Sequence, residues 1–171
     1  MINISIWNND TGNKKILSLC KSLLDETFDE DLNLIYNKTF VVSIIENNNI
    51  LGTISIISNN DLIEYFRKKK IDIESLQNIY CFRGSSGVYI YNLAVNKKYR
   101  NKGVAKKLIS IALHISSIKN FKYCYVHCDN DISSYIFKKI GFIQENTFTN
   151  KKGKLIRMCS YWLLNHPRVD H

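Results

Sequence analysis

The chain predicts a single α/β domain, and three observations carry that expectation. Residues 88–95, Val88-Tyr-Ile-Tyr-Asn-Leu-Ala-Val95, are β-branched and aromatic with few polar breaks, the composition of a strand buried on both faces. From Leu108 onward apolar residues recur at helical spacing, at Leu108, Ile111, Ala112 and Ile115. A short loop, Arg100-x-x-Gly103-x-Ala105, joins the two. The 171 residues suffice for one domain with a real core, and a hydrophobic content of 45% agrees. With no Pro/Gly/Ser-rich linker, no repeat and one proline, Pro167, residues 1–164 are expected to form that domain and 165–171 an unstructured tail.

In chain order, residues 2–7 alternate as a first strand. Asn8 to Gly12 supply the turn and cap of a helix over about 13–27, whose buried stripe is Ile16, Leu17, Cys20, Leu23 and Leu24. Residues 41–45 and 50–57 read as a β-hairpin around a polar turn. Residues 60–80 switch to a helical pattern: Leu62, Ile63, Tyr65 and Phe66 mark one helix, and a second short one is expected around Ile73 to Tyr80. This is an insertion before the 88–95 strand, reached through a flexible 81–87. Lys119-Asn120 ends the next helix, and residues 123–128 form the following strand. Asp129 or Asn130 caps a helix running to Ile140, which Gly141 stops. Residues 142–148 and 155–164 flank Thr149 to Gly153 as a final hairpin.

No basic leader precedes Ile2, and no apolar run approaches the ~20 residues of a membrane span, so a soluble, cytoplasmic protein with no membrane partner is expected. Five cysteines, at 20, 81, 124, 128 and 159, form no C-x-x-C pair and read as free thiols of a reducing compartment. Cys124, His127 and Cys128 have metal-ligand chemistry. On a strand, however, the two cysteines take one face and His127 the other, so buried thiols and no metal are expected.

The formal charge of +9 accompanies a chain crowded with Asn, Ile and Lys and holding three alanines, a bias typical of an AT-rich genome. The basic residues have no interleaved aromatic platform and no recognition-helix pattern, so nucleic acid is not the expected partner, and a basic nucleic-acid-binding domain is an alternative that charge alone supports. One concentration of charge is local. Lys97, Lys98, Arg100, Lys102, Lys106 and Lys107 surround the loop, and no acid lies between Asn96 and Ile118.

The first N–H groups of a helix lack intrahelical partners and carry a partial positive charge, so a loop opening a helix binds anions. Gly103 lets backbone approach a ligand, Ala105 keeps the next position small, and Arg100 adds a forked donor suited to phosphate. Leu93-Ala-Val-x(4)-Arg100-x-x-Gly103-x-Ala105 resembles the acetyl-CoA signature of the GNAT superfamily of N-acetyltransferases, Q/R-x-x-G-x-G/A after a strand. Downstream, Asn130-Asp-Ile-Ser133-Ser-Tyr-Ile136-Phe137-Lys-Lys139-Ile-Gly141-Phe142 resembles the same family's N-x-x-A-x-x-L-Y-x-K-x-G-F segment, in register.

The resemblance implies a GNAT fold: a mixed, mostly antiparallel sheet of about six or seven strands flanked by helices, with a central parallel pair, 88–95 and 123–128, splayed to admit acetyl-CoA. It gives the backbone of Leu93, Ala94 and Val95 the pantetheine arm. Arg100, Asn101, Lys102, Gly103, Val104 and Ala105 inherit the pyrophosphate. Asn130 and Phe137 fall at cofactor-side positions of the family motif. Acetyl-CoA is then the co-substrate, and the acceptor is a primary amine of a protein N-terminus, a lysine or a small molecule. Acids at 25, 26, 29, 30 and 31 lie where the family borders its acceptor site, and read either as a solvated loop or as a rim for a cationic amine.

Amine attack on a thioester requires an uncharged amine, a polarised carbonyl and a thiol that leaves. Amines have reference pKa values of ~8 to ~10.4, so a base or a proton-removing water chain helps at neutral pH. Backbone N–H groups at Leu93 to Val95 are placed to polarise the carbonyl. The family's tyrosine acid is replaced by Phe137, which cannot donate, and Tyr135 lies about 200° around the helix from it. The family's two base positions on the splayed strands correspond to Tyr89 and Tyr125. His127 shares the face of Tyr125 by the period of two, and its expected pKa, near 6 to 7, suits proton removal. Tyr89, Tyr125 and His127 are therefore the catalytic candidates. Tyr89-Ile-Tyr-Asn-Leu93 also resembles the strand of a protein N-terminal acetyltransferase branch, although the last hairpin lacks that branch's paired tyrosines. Because Phe137 removes the usual acid, a catalytically inactive CoA-binding regulator is the alternative reading.

Overall fold

The computed structural model describes residues 2–7, 14–27, 38–77, 79–82 and 84–163. Its strands are β1 (Ile2–Trp7), β2 (Phe40–Glu46), β3 (Asn49–Ser58), β4 (Gly87–Val95), β5 (Tyr123–Cys128), β6 (Ile143–Thr149) and β7 (Leu155–Trp162). Its helices are α1 (Lys14–Thr27), α2 (Asn59–Lys68), α3 (Val104–Ile118) and α4 (Asp131–Ile140). The cap at 8–12, the acids Asp29 to Asp31 with the side chains of Asp25 and Glu26, and the tail at 165–171 lie outside the described residues.

The strands form one sheet in the order β1-β2-β3-β4-β5-β7-β6. The β4·β5 pair is parallel, registered from Gly87↔Tyr123 to Ile90↔Val126. The chain divides into two compact units, Met1–Ile57 with Tyr91–Ala112, and Ser58–Ile90 with Leu113–His171.

In the first unit the α1 stripe is the one the periodicity marks: Cys20, Leu23 and Leu24 pack with Val41, Ile50 and Ala94. The β2–β3 turn falls on Asn47 and Asn48, both left-handed at φ 49° and 63°, the conformation a tight two-residue hairpin requires and asparagine tolerates. Gly52 allows a close approach, since a Cβ there would stand 2.8 Å from the Ala94 carbonyl oxygen and 3.0 Å from Leu108 Cδ1.

In the second unit Ser58 caps α2, its Oγ accepting from Asp61 N at 3.1 Å, and Leu62 and Phe66 are buried. The second helix expected around Ile73 to Tyr80 is instead a 3-10 turn, Glu74–Leu76. Asp72 caps the turn by accepting from the Glu74 and Ser75 N–H groups, but the turn buries no side chain, so no apolar stripe holds a longer helix in place. Asn130 caps α4 by accepting from Ser133 N at 2.8 Å, and Gly141 ends it at φ 113°. No helix among the described residues is long and apolar enough to cross a membrane.

Candidate active site

The first unit carries the loop expected to bind an anion, residues 100–105. After β4, Asn96 Oδ1 accepts from Lys98 N at 3.1 Å and starts a 3-10 turn over Lys97–Tyr99. Arg100 Nε then donates to the Val95 carbonyl at 3.2 Å, which ties the guanidinium arm beside the loop. Asn101 and Gly103 are left-handed, at φ 60° and 77°, and α3 begins at Val104. Alternation of this kind gathers successive N–H groups into an anion-binding concavity. A Cβ at Gly103 would meet nothing within 4 Å, so the loop has room for a phosphate. Lys97, Lys98, Arg100, Lys102, Lys106 and Lys107 are all exposed, while Val104 is buried and Ala105 half-buried.

On β4, Ala94 is buried and Leu93 and Val95 are half-buried. Just before them Asn92 is left-handed at φ 52°, inside a strand, and 6% exposed. Its Nδ2 is buried without a hydrogen-bond partner. Tyr91 is committed elsewhere, its hydroxyl 2.7 Å from Thr39 Oγ1.

The second unit holds the catalytic candidates together. Tyr89, Tyr125, His127 and Tyr80 form one ring cluster, with centroids 5.2 Å apart for Tyr89–Tyr125 and 5.0 Å for both Tyr89–His127 and Tyr80–His127. His127 Nε2 lies 2.7 Å from the Ile79 carbonyl, and Nδ1 lies 3.1 Å from the Tyr89 hydroxyl. A carbonyl only accepts, so Nε2 carries the proton. Nδ1 is then bare and accepts from Tyr89 O–H. Burial pushes His127 down to about 4, partly opposed by the bond to Ile79, so the imidazole is neutral at physiological pH and does not titrate at the 6 to 7 expected of it.

Tyr125 differs from Tyr89. Its ring is fully buried and its hydroxyl donates to Asn59 Oδ1 at 3.0 Å. Burial, reinforced by the neighbouring Tyr89 phenol, holds its proton well above the usual range. Tyr125 therefore packs and orients, and Tyr89 is the phenol with a proton acceptor behind it. Asn59 also donates to the Cys81 and Gly84 carbonyls, both at 3.0 Å, and so ties the insertion to the lead into β4. Asn59, Ile79 and Tyr80 escape any motif; Asn59 left only the faint signal of a polar residue at a helix start. Cys124, on the opposite face of β5, has its thiol pushed up to about 12 by burial.

Two cofactor-side candidates have structural duties. Asn130 is the α4 cap, and its Nδ2 donates to Asp129 Oδ1 at 2.7 Å. Phe137 is 1% exposed and packs edge-on against Phe142 at 4.9 Å.

The family model described as Acetyltransferase (GNAT) family matches residues 11–142, well over half of the chain. The chain belongs to the GNAT acetyltransferase family. Its co-substrate is acetyl-CoA, the acetyl donor of that family. Among solved structures, the aminoglycoside 6'-N-acetyltransferase from Enterococcus faecium aligns with a TM-score of 0.71 at 12% identity, over 96% of this chain and 99% of that one. An aminoglycoside 6'-N-acetyltransferase complexed with coenzyme A gives 0.69 at 11%, over 95% and 99%. A chain from the NatC complex bound to Gag peptide and CoA gives 0.65 at 19%, over 94% and 99%. At such identities the likeness is one of fold.

Proposed function

We propose that this GNAT protein is an N-acetyltransferase that moves the acetyl group of acetyl-CoA to a primary amine. The observation that carries the reading is the Tyr89 hydroxyl on His127 Nδ1, with Nε2 held by the Ile79 carbonyl. The pair is a half-buried phenol backed by a neutral base. The amine gives a proton to the Tyr89 oxygen as the Tyr89 proton passes to Nδ1. The C–N bond forms, the C–S bond breaks, and the thiol leaves as thiolate. With a pKa near 4, His127 holds that proton weakly and hands it back through Tyr89 to the departing thiolate, so the products are the amide and the CoA thiol. A thiol of pKa ~8.5 leaves without a side-chain acid, so Phe137 does not forbid turnover.

On the donor side, the loop 100–105 holds the pyrophosphate, the backbone of Leu93 to Val95 pairs with the pantetheine arm, and those N–H groups polarise the carbonyl. The acceptor class is a small amine or a protein amine. Solved relatives that act on aminoglycosides, or that were crystallised with a peptide, support both. Five free cysteines, all buried, support a reducing, cytoplasmic setting for a single catalytic domain over 1–164.

Release of CoA thiol, followed with aminoglycosides, diamines, lysine and short peptides, tests the reading. Amine-dependent release is expected. If acetyl-CoA raises the melting temperature yet none of these amines releases thiol, the regulator reading that Phe137 favours takes over.

A further inference from the structure

Two buried side-chain polar atoms among the described residues have no hydrogen-bond partner, Asn92 Nδ2 and Ser55 Oγ. They fall on neighbouring strands, β4 and β3. Asn96 N–H bonds the Leu51 carbonyl at 2.9 Å, while the Ala94 oxygen stands 2.8 Å from the Cβ position of Gly52. The count rises on β3 as it falls on β4, so the strands are antiparallel and Ser55 comes level with Asn92, to within about one residue.

An orphaned buried donor is costly, and a left-handed non-glycine residue inside a strand adds strain. Both fall on Asn92. Neither is explained by packing, since a glycine would remove both costs. Such a combination marks a place where a ligand supplies the missing partner.

We propose that the Asn92 side-chain amide donates a hydrogen bond to the thioester carbonyl oxygen of bound acetyl-CoA, making Asn92 a catalytic residue. The inference rests on the acetyl-CoA reading above. With the pyrophosphate at 100–105 and the pantetheine arm running back along Val95 to Leu93, the acyl end arrives next at residue 92. A carbonyl oxygen is the acceptor that an amide N–H needs, and it gains negative charge as the amine attacks. A donor already fixed there stabilises that charge without reorganising. An apolar run carries one asparagine at this point, at positive φ.

The test compares acetyl-CoA with CoA, which lacks the carbonyl, on wild type, Asn92→Gly and Asn92→Asp. Glycine keeps the positive φ and removes the amide; aspartate keeps the shape and removes the donor. Acetyl-CoA affinity should fall about tenfold in both variants while CoA affinity changes less than twofold. Infrared spectra of bound acetyl-CoA labelled with carbon-13 at the carbonyl should show the stretch at lower frequency in wild type than in either variant. Apo Asn92→Gly should melt at or above the wild-type temperature. Equal loss of both ligands, no loss, or an unshifted carbonyl stretch overturns the assignment while leaving the acetyl-CoA reading intact. Failure of wild type to bind either ligand overturns both.

Discussion

The anion loop and the tyrosine–histidine cluster are built on opposite plans. The loop is exposed and made of backbone: Asn101 and Gly103 set its φ angles, one arginine bond ties it to Val95, and six cations stand around it. The cluster is half-buried around a fully buried Tyr125 and is made of side chains from distant segments, with Tyr89 and His127 separated by 38 positions and Ile79 and His127 by 48. An anion can be held by a contiguous loop because a helix start supplies its donors. A phenol set on a bare imidazole nitrogen needs partners from distant segments, and only tertiary packing brings them together. Damage to one region should therefore separate from damage to the other.

The largest structural effect is expected at Gly87. A Cβ there would stand 2.4 Å from the Tyr123 ring and 2.5 Å from Asn59 Nδ2, both supports of the cluster. Gly87→Ala should cost ~3 kcal/mol, or roughly 6–12 °C in melting temperature. An unchanged melting point would show that the Asn59 network yields freely.

The next effect is in acid. His127 titrates near 4 when folded, against a reference of ~6.5 unfolded, so between these values the unfolded chain binds a proton the folded one refuses. Stability is full above pH ~6.5 and is lost as pH falls toward 4, by about 3 kcal/mol in all. Denaturant titrations should show this slope in wild type and a flatter one in His127→Gln. Equal slopes would mean that His127 is not desolvated.

Smaller still is the apo cost at the loop. Gly103→Val puts a β-branched residue at φ 77°, which should remove about 1–2 kcal/mol of stability and abolish the melting shift with acetyl-CoA. A variant that keeps the full shift would break the contrast between the two regions.

How much of this was readable depends on the distance over which each feature is determined. The loop, the α1 stripe, the Asn47-Asn48 turn and the Gly141 stop are local, and strand alternation alone set Tyr125 and His127 on one face. The short helix expected around Ile73 to Tyr80 shrank to a turn because the residues of that turn find no core to bury against, which the sequence does not show. Tyr125 looked equivalent to Tyr89 because nothing near it in sequence names Asn59, 66 positions away, as its partner. The pKa of His127 was misjudged because burial is not local. Asn92 stood in plain view as a polar break in an apolar strand, yet only its φ and its unpaired amide make it a candidate.

The division of labour is tested most directly by Tyr89→Phe, measured as turnover with an accepted amine beside equilibrium binding of acetyl-CoA. The variant keeps the ring that packs on Tyr125 and loses the hydroxyl on His127 Nδ1. The expected result is a kcat about 10²- to 10⁴-fold lower with the acetyl-CoA Kd within about twofold of wild type. An unchanged kcat, or a loss of turnover matched by an equal loss of acetyl-CoA affinity, would contradict the assignment of proton removal to the Tyr89–His127 pair.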